Sequence, residues 1–211
     1  MRLYFMRHAE SEANRKNLLA GQLDFPLSEE GQRQSREVAD AFLRDRPIDA
    51  IISSPLLRAR ATALPFCEAL GLRLELDEAL LEQDMGVFSG SSYPEAEADP
   101  RYELDKSRRW DWVPPGGESY EMIARRLRPF FERLDGRRPS PENPAANPEH
   151  LLVITHAVTL RIIEAYLLAS LPRYPTALAR NGEILETDYR GLGIPHELER
   201  HYWGKDSEGR A

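Results

Sequence analysis

The chain has 211 residues, is 41% hydrophobic and carries a formal net charge of −7. That length and apolar content suit one sizeable α/β domain over residues 1–203, able to bury a core without disulfide staples. The acidic balance excludes a global attraction to nucleic acid or to an anionic membrane, so an anionic ligand would need a local cluster of Arg and His. No apolar run approaches the roughly 20 residues of a membrane span, and charge interrupts Met1 to Arg7 too early for a secretory signal. The one cysteine, Cys67, lies in a helix-like run with no Gly-rich phosphate loop after it, which reads as an apolar filler in a reducing compartment. A cytoplasmic protein is expected.

In chain order, Leu3 to Met6 is a short apolar run that stops at Arg7-His8, as expected of a strand buried on both faces. Ser28-Glu29-Glu30 opens a helix with Ser28 as N-cap and acids in its first turn. Ala50-Ile51-Ile52 reads as a second buried strand ending at Ser53-Ser54-Pro55. A helix follows from about Leu56 to Leu70, stopped by Gly71. Leu72 to Leu76 alternates apolar and charged, as in a half-exposed strand. Residues 89–115 are polar and charged, carry Trp110 and Trp112, and read as an excursion over a site. A helix is expected within Gly117 to Leu134. Residues 137–149, with Pro139, Pro141, Pro144 and Pro148, read as a mobile surface loop. Leu151 to Thr155 is the third apolar run, followed by a helix from about Val158 to Leu171. Residues 204–211 read as a frayed tail.

Strands alternating with helices predict a mostly parallel central sheet with helices on both faces. In such folds the chemistry sits at the carboxyl ends of the strands. Here those ends carry Arg7-His8, Ser53-Ser54 with Arg58 close behind, and Thr155-His156. A neutral imidazole on a rigid element is a usable nucleophile toward phosphorus if its other ring nitrogen is fixed by an acceptor. Arginines offer planar forks for phosphate oxygens. Arg7-His8 alone fits a structural pair at a strand edge equally well. Three strand ends carrying two His and two Arg together point to phosphoryl transfer, which needs fixed cationic donors around the equatorial oxygens. No metal-ligand set, dinucleotide fingerprint or phosphate-binding Gly-rich loop is visible, so no cofactor and no metal are expected. An acid for the leaving group is sought in Leu80 to Gly86, with Glu82 first and Asp84 in reserve.

These motifs, taken in order, resemble the histidine phosphatase superfamily in its phosphoglycerate-mutase-like branch. Arg7-His8-Ala9-Glu10-Ser11 with Asn14 is similar to its opening signature, and Gly21-Gln22 through Ser28 to its next block. Ser53-Ser54-Pro55-Leu56-Leu57-Arg58-Ala59, Glu82 with Gly86 and Gly90, Gly116-Gly117-Glu118-Ser119 and Thr155-His156-Ala157 are similar to the rest. The matches run from residue 3 to about residue 170. The resemblance implies a phosphoglycerate-mutase-like fold and a phosphohistidine on His8. Arg7, Arg58 and His156 would bind the phosphoryl group, and Glu82 would serve as acid and then base. Asn14, Gly21 and Gln22 would lie near the substrate. One departure is Ala9, where the family often has Gly.

The expected activity is metal-independent hydrolysis of small phosphomonoesters, the partner being a small phosphorylated metabolite. Two rivals stand beside it: a cofactor-dependent phosphoglycerate mutase, and a weakly catalytic phospho-ligand or protein-interaction module on the same scaffold. The short, polar excursion favours hydrolysis, since a mutase must exclude water from its phosphohistidine. His150, His196 and His201 read as solvated, and Arg125, Arg126 and Arg128 as helix surface. Arg101, Lys106, Arg108 and Arg109 read as a solvated face or a contact for a second anionic group. The physiological substrate is not legible, and a homodimer stays open.

Overall fold

The computed structural model describes residues 1–138 and 149–203; most of the expected loop at 137–149 and all of the tail from 204 lie outside them. Six strands, β1 (Arg2–Arg7), β2 (Ala50–Ser53), β3 (Leu74–Leu76), β4 (His150–Thr155), β5 (Ile184–Asp188) and β6 (Glu199–His201), form one sheet in the order β3-β2-β4-β1-β5-β6. The first four are mutually parallel, while β5 and β6 are antiparallel to their neighbours. The helices are α1 (Glu12–Arg15), α2 (Glu29–Phe42), α3 (Leu57–Leu70), α4 (Tyr93–Glu97), α5 (Tyr120–Gly136) and α6 (Ala157–Leu167).

The strand pattern explains the layers. Successive side chains of a strand point to opposite faces, so β1 sends Leu3 and Phe5 one way, Tyr4 and Met6 the other. Leu3, Phe5, Leu151 and Val153 meet Ile123, Leu127 and Phe131 of α5 and Leu160 and Ile163 of α6. Tyr4, Met6, Leu152 and Ile154 meet Val38 and Phe42 of α2 and Ala63 and Phe66 of α3. Both faces are therefore buried, and each large apolar side chain withdrawn in this way contributes about 1.5–3 kcal/mol.

Local signals set the helix ends. Ser28 caps α2 by accepting from the Gly31 N–H, and Ser119 caps α5 by accepting from the Met122 N–H. Gly71 ends α3 in the left-handed conformation, which glycine enters without a Cβ clash.

Two expectations need correction, and one segment carries elements that no expectation covered. The segment after α6 holds two strands. The acids Glu183 and Glu186 disguise the first of them, but both are buried and paired: Glu183 with Arg200 at 2.6 Å, and Glu186 with Arg2 at 2.9 Å and Arg46 at 3.3 Å. His196 is buried against Tyr189, with Nδ1 on the Leu167 carbonyl and Nε2 on the Arg190 N–H. His201 lies in β6 against Glu186, and His150 heads β4 and stacks on Tyr4.

The excursion at 89–115 is also not loosely polar. It contains α4 and a 3-10 turn, and Ala96, Tyr102 and Trp112 close with Leu19, Met85 and Phe88 into a small third core. Its basic residues are largely paired locally: Arg101 with Asp99, Arg108 with Glu103, and Arg109 with the Glu103 carbonyl over the Tyr102 and Trp112 rings.

Candidate active site

Parallel pairing sets Arg7 opposite Thr155, and Ser53 opposite Ile154. The residues that follow, His8, Ser54 and His156, therefore leave three adjacent strands at one rim. Arg58 reaches that rim from the first turn of α3. The expected convergence of His8, Arg7, Arg58 and His156 is thus observed. His8 is 3% exposed, Arg58 1% and His156 0%, and the His8 and His156 rings lie 5.1 Å apart between centroids.

His8 is held at both ends. Its N–H donates to the Thr155 carbonyl at 2.9 Å, and its carbonyl accepts from the Asn181 amide at 2.9 Å. Nδ1 lies 2.7 Å from the Ala9 carbonyl. A carbonyl only accepts, so Nδ1 carries the proton and Nε2 keeps its lone pair in the neutral ring. Burial pushes the His8 imidazole well below the ordinary histidine range, with the Arg58 and Arg7 charges acting in the same direction and the Ala9 carbonyl opposing. The ring is therefore neutral near pH 7. Ala9 is fully buried, keeps a negative φ and donates its N–H to the Thr62 hydroxyl, so its Cβ does not disturb the loop.

Beside the His8 ring, the polar groups of Arg7, Arg58 and His156 are only partly satisfied. Arg7 gives Nη1 to the Ala179 carbonyl; Arg58 gives Nη1 and Nη2 to the Leu23 and Gly21 carbonyls. Nε of each arginine and Nδ1 of His156 are buried and without a partner. His156 Nε2 lies 2.7 Å from the Ser54 hydroxyl, and burial, then the Arg58 charge, hold this imidazole well below the ordinary range. Among the described residues no carboxylate forms an ion pair with Arg7 or Arg58. Buried guanidinium donors left unpaired in this way are costly to keep, and a phosphoryl group would satisfy them.

Glu82 sits beside this cradle at the N-terminus of α6. Its Oε1 accepts from the backbone N–H of Gln83 at 2.9 Å and of Val158 and Thr159 at 3.2 Å; Oε2 has only Val158 at 3.3 Å. Oε2 is therefore the oxygen available for proton transfer. Both Arg7 and Arg58 feel the Glu82 charge. Asp84 is turned away: its Oδ1 accepts from Gly86 N–H at 2.8 Å.

Gly86 and Gly117 explain the remaining glycines in the motifs. A Cβ on Gly86, which has φ +53°, would meet the Pro115 carbonyl at 2.1 Å, and one on Gly117 would meet the Asp84 carbonyl at 2.3 Å. The two blocks are packed backbone to backbone.

Asn14, Gly21 and Gln22 lie close to the cradle and are tied to it through the protein. Asn14 closes the capping box of α1 and accepts from Asn181 at 3.3 Å; the Gly21 carbonyl holds Arg58; Gln22 donates to the Glu82 carbonyl at 3.1 Å. Asn181 and Ala179 escaped the sequence reading, which placed Ser54 at a strand end without giving it a role. Arg126, expected on the helix surface, is half-buried against Glu118 at 3.0 Å.

The family model of the histidine phosphatase superfamily, branch 1, matches residues 3–194. The chain belongs to this superfamily. It is 31% identical over 207 residues to glucosyl-3-phosphoglycerate phosphatase of Mycobacterium tuberculosis, covering 97% of this chain and 92% of that one. A mycobacterial glucosyl-3-phosphoglycerate phosphatase solved with VO3 superposes with a TM-score of 0.79 at 28% identity, over 94% and 96% of the two chains. A 2,3-bisphosphoglycerate-dependent phosphoglycerate mutase of Parvibaculum lavamentivorans is 36% identical over 166 residues, 75% of this chain and 76% of that one. The bifunctional protein Rv2228c of Mycobacterium tuberculosis is also 36% identical, over 138 residues; that match takes in 63% of this chain and spans only 37% of the relative's length.

Among the described residues no helix is long and apolar enough to cross a membrane. The one group of possible metal ligands found among them, Glu186, Glu199 and His201, lies at the β5–β6 edge of the sheet, where Glu186 already serves Arg2 and Arg46.

Proposed function

We propose that this histidine phosphatase hydrolyses small phosphomonoesters through a phosphohistidine on His8, using no metal or other cofactor. The observation that carries the reading is the buried set of unclaimed nitrogens, Nε of Arg7, Nε of Arg58 and Nδ1 of His156, around a neutral imidazole whose Nδ1 is tied to a carbonyl. In the first step Nε2 of His8 bonds to phosphorus as the ester P–O bond breaks, and Glu82, protonated at that stage, gives its proton to the leaving alkoxide. In the second, Glu82 takes a proton from water as the water oxygen bonds to phosphorus and the P–N bond breaks. Arg7, Arg58 and His156 bind the equatorial oxygens throughout. Asn14, Gly21 and Gln22 shape the surrounding wall through the contacts already described.

A phosphoglycerate mutase is supported by one specific observation. The packed third core and the burial of His8 provide more shielding from water than a loose polar excursion would. The substrate is a small phosphorylated metabolite, and the names of the relatives place carboxylated phosphate esters in the screen. The buried single thiol of Cys67 suits a reducing cytoplasm.

The test is phosphate release from a panel of alkyl, aryl and carboxylated phosphomonoesters, with 3-phosphoglycerate plus a trace of its bisphosphate run in parallel. Free phosphate as the main product supports hydrolysis. Rapid appearance of 2-phosphoglycerate with little phosphate would make the mutase the better reading. Activity should survive prolonged chelation, and complete loss restored by a divalent ion would overturn the metal-independent part.

A further inference from the structure

Residues Leu81 to Met85, which carry the acid, adopt neither helix nor strand. A segment of that kind takes its position from whatever claims its backbone. Here Arg126 claims more of its carbonyls than any other side chain, with the Thr159 hydroxyl also on the Leu81 carbonyl and the Gln22 amide also on the Glu82 carbonyl. The Arg126 guanidinium donates to the carbonyls of Ala79, of Leu81 at 2.6 Å and of Glu82 at 3.2 Å. It also grips Glu118, at 3.0 Å to one oxygen and 3.4 Å to the other, and the latter oxygen accepts from Asp84 N–H at 3.1 Å. Its Nη2 comes within 3.5 Å of the Thr159 hydroxyl, on the helix turn whose N–H groups hold the Glu82 carboxylate. A planar fork of donors can satisfy several acceptors in a fixed geometry, which an ammonium on a flexible stem does not.

We propose that Arg126 is a positioning residue: it holds the main chain of residues 79–82 where the Glu82 carboxyl reaches the leaving oxygen. The proposal rests on the role given to Glu82 above. Arg126 makes none of its hydrogen bonds to His8, Arg7, Arg58 or His156, so its effect on phosphate capture should be small. Its charge does reach His156, where it adds to the forces keeping that ring neutral. A merely structural arginine would affect every substrate alike. A residue acting through the acid should affect only substrates whose leaving group needs a proton.

The experiment compares kcat and KM of the whole chain and its variants on an alkyl phosphate and on 4-nitrophenyl phosphate. Arg126→Lys keeps a charge opposite Glu118 but cannot span the three carbonyls. Its kcat on the alkyl ester should fall about 10–100-fold, as expected for a misplaced catalytic group, with KM little changed and a much smaller loss on the nitrophenyl ester. On a Glu82→Gln background the same substitution should add almost nothing, because both changes act at one point. Arg125→Lys, on the exposed face of the same helix and paired with Glu121 at 2.7 Å, should stay within about threefold of wild type, as the loss of a surface ion pair allows. Equal losses on both esters, losses that multiply in the double variant, or wild-type kcat in Arg126→Lys would each overturn the assignment. A loss in Arg125→Lys as large as that in Arg126→Lys would also do so. A wild type inert toward both esters would instead overturn the phosphatase reading itself.

Discussion

His8 and Glu82 stand on different kinds of support. His8 leaves the central strand β1, its N–H on the Thr155 carbonyl of the neighbouring strand, its carbonyl on Asn181 and its ring on the Ala9 carbonyl. Glu82 rides on irregular chain whose place is set by Arg126, Gln22, Glu118 and the N-terminus of α6. The proposed nucleophile is fixed by sheet geometry, and the proposed acid by side-chain grip. Changes in the cradle should therefore act on chemistry at once, whereas changes around the acid should act by degrees and according to the leaving group.

The largest effect is expected at His8. His8→Ala should abolish turnover, and label from a phosphorylated substrate, acid-labile and alkali-stable, should be trapped on the wild type alone. Near-normal activity in the variant would sink the proposed mechanism. At Glu82 the contrast between the two regions becomes quantitative. Glu82→Gln should lower kcat on an alkyl phosphate by about 10²–10⁴-fold, the usual cost of losing a general acid. The loss should be far smaller on 4-nitrophenyl phosphate. Equal losses on the two esters would argue that Glu82 does not protonate the leaving group.

A smaller effect is expected where the acid segment meets its neighbour. Gly117→Ala would drive a Cβ toward the Asp84 carbonyl, 2.3 Å away in the present arrangement. One of the two backbones must yield, at a cost of about 1–3 kcal/mol, typical of overpacking. Thermal unfolding should show a lower midpoint. The kcat on alkyl esters should fall more than that on nitrophenyl esters, because the displaced chain belongs to the acid. An unchanged midpoint and unchanged rates would mean that the contact relaxes freely.

The same contrast decides what was legible in the sequence. The cradle was readable because its residues follow short continuous apolar runs, Leu3 to Met6 and Leu151 to Thr155, the pattern of strands buried on both faces, which these are. Arg126 was not readable. It stands between exposed Arg125 and Arg128 on an amphipathic helix, and only its separation from Glu118 by eight residues hints that it turns inward. Asn181 lies in a stretch without hydrophobic period. β5 was hidden because the acids Glu183 and Glu186 break any apolar run, yet they are buried beside arginines that come from β1, β6 and the chain after α2. Pairing between distant residues leaves no local pattern. The excursion misled for a related reason: Tyr102 and Trp112 find their partners, Leu19, Met85 and Phe88, outside it.

The smallest effect separates the regions through pH. Burial and the neighbouring arginines hold His8 and His156 well below the ordinary histidine range in the folded protein, whereas in the unfolded chain both titrate near about 6.5. As pH falls through that value the unfolded state takes up protons that the folded cradle refuses. Stability is thus complete above about pH 6.5 and declines below it, by at most about 1.4 kcal/mol per pH unit for each such imidazole. His196 is depressed by burial as well and adds to the same slope. Denaturant unfolding between pH 7.5 and about 5.5 should therefore give a shallower pH dependence for His8→Asn than for the wild type, while Glu82→Gln leaves the histidine contribution intact. Matching slopes for wild type and His8→Asn would show that the His8 ring already exchanges its proton with solvent in the folded state. The support that keeps it a neutral nucleophile would then be weaker than the cradle geometry requires.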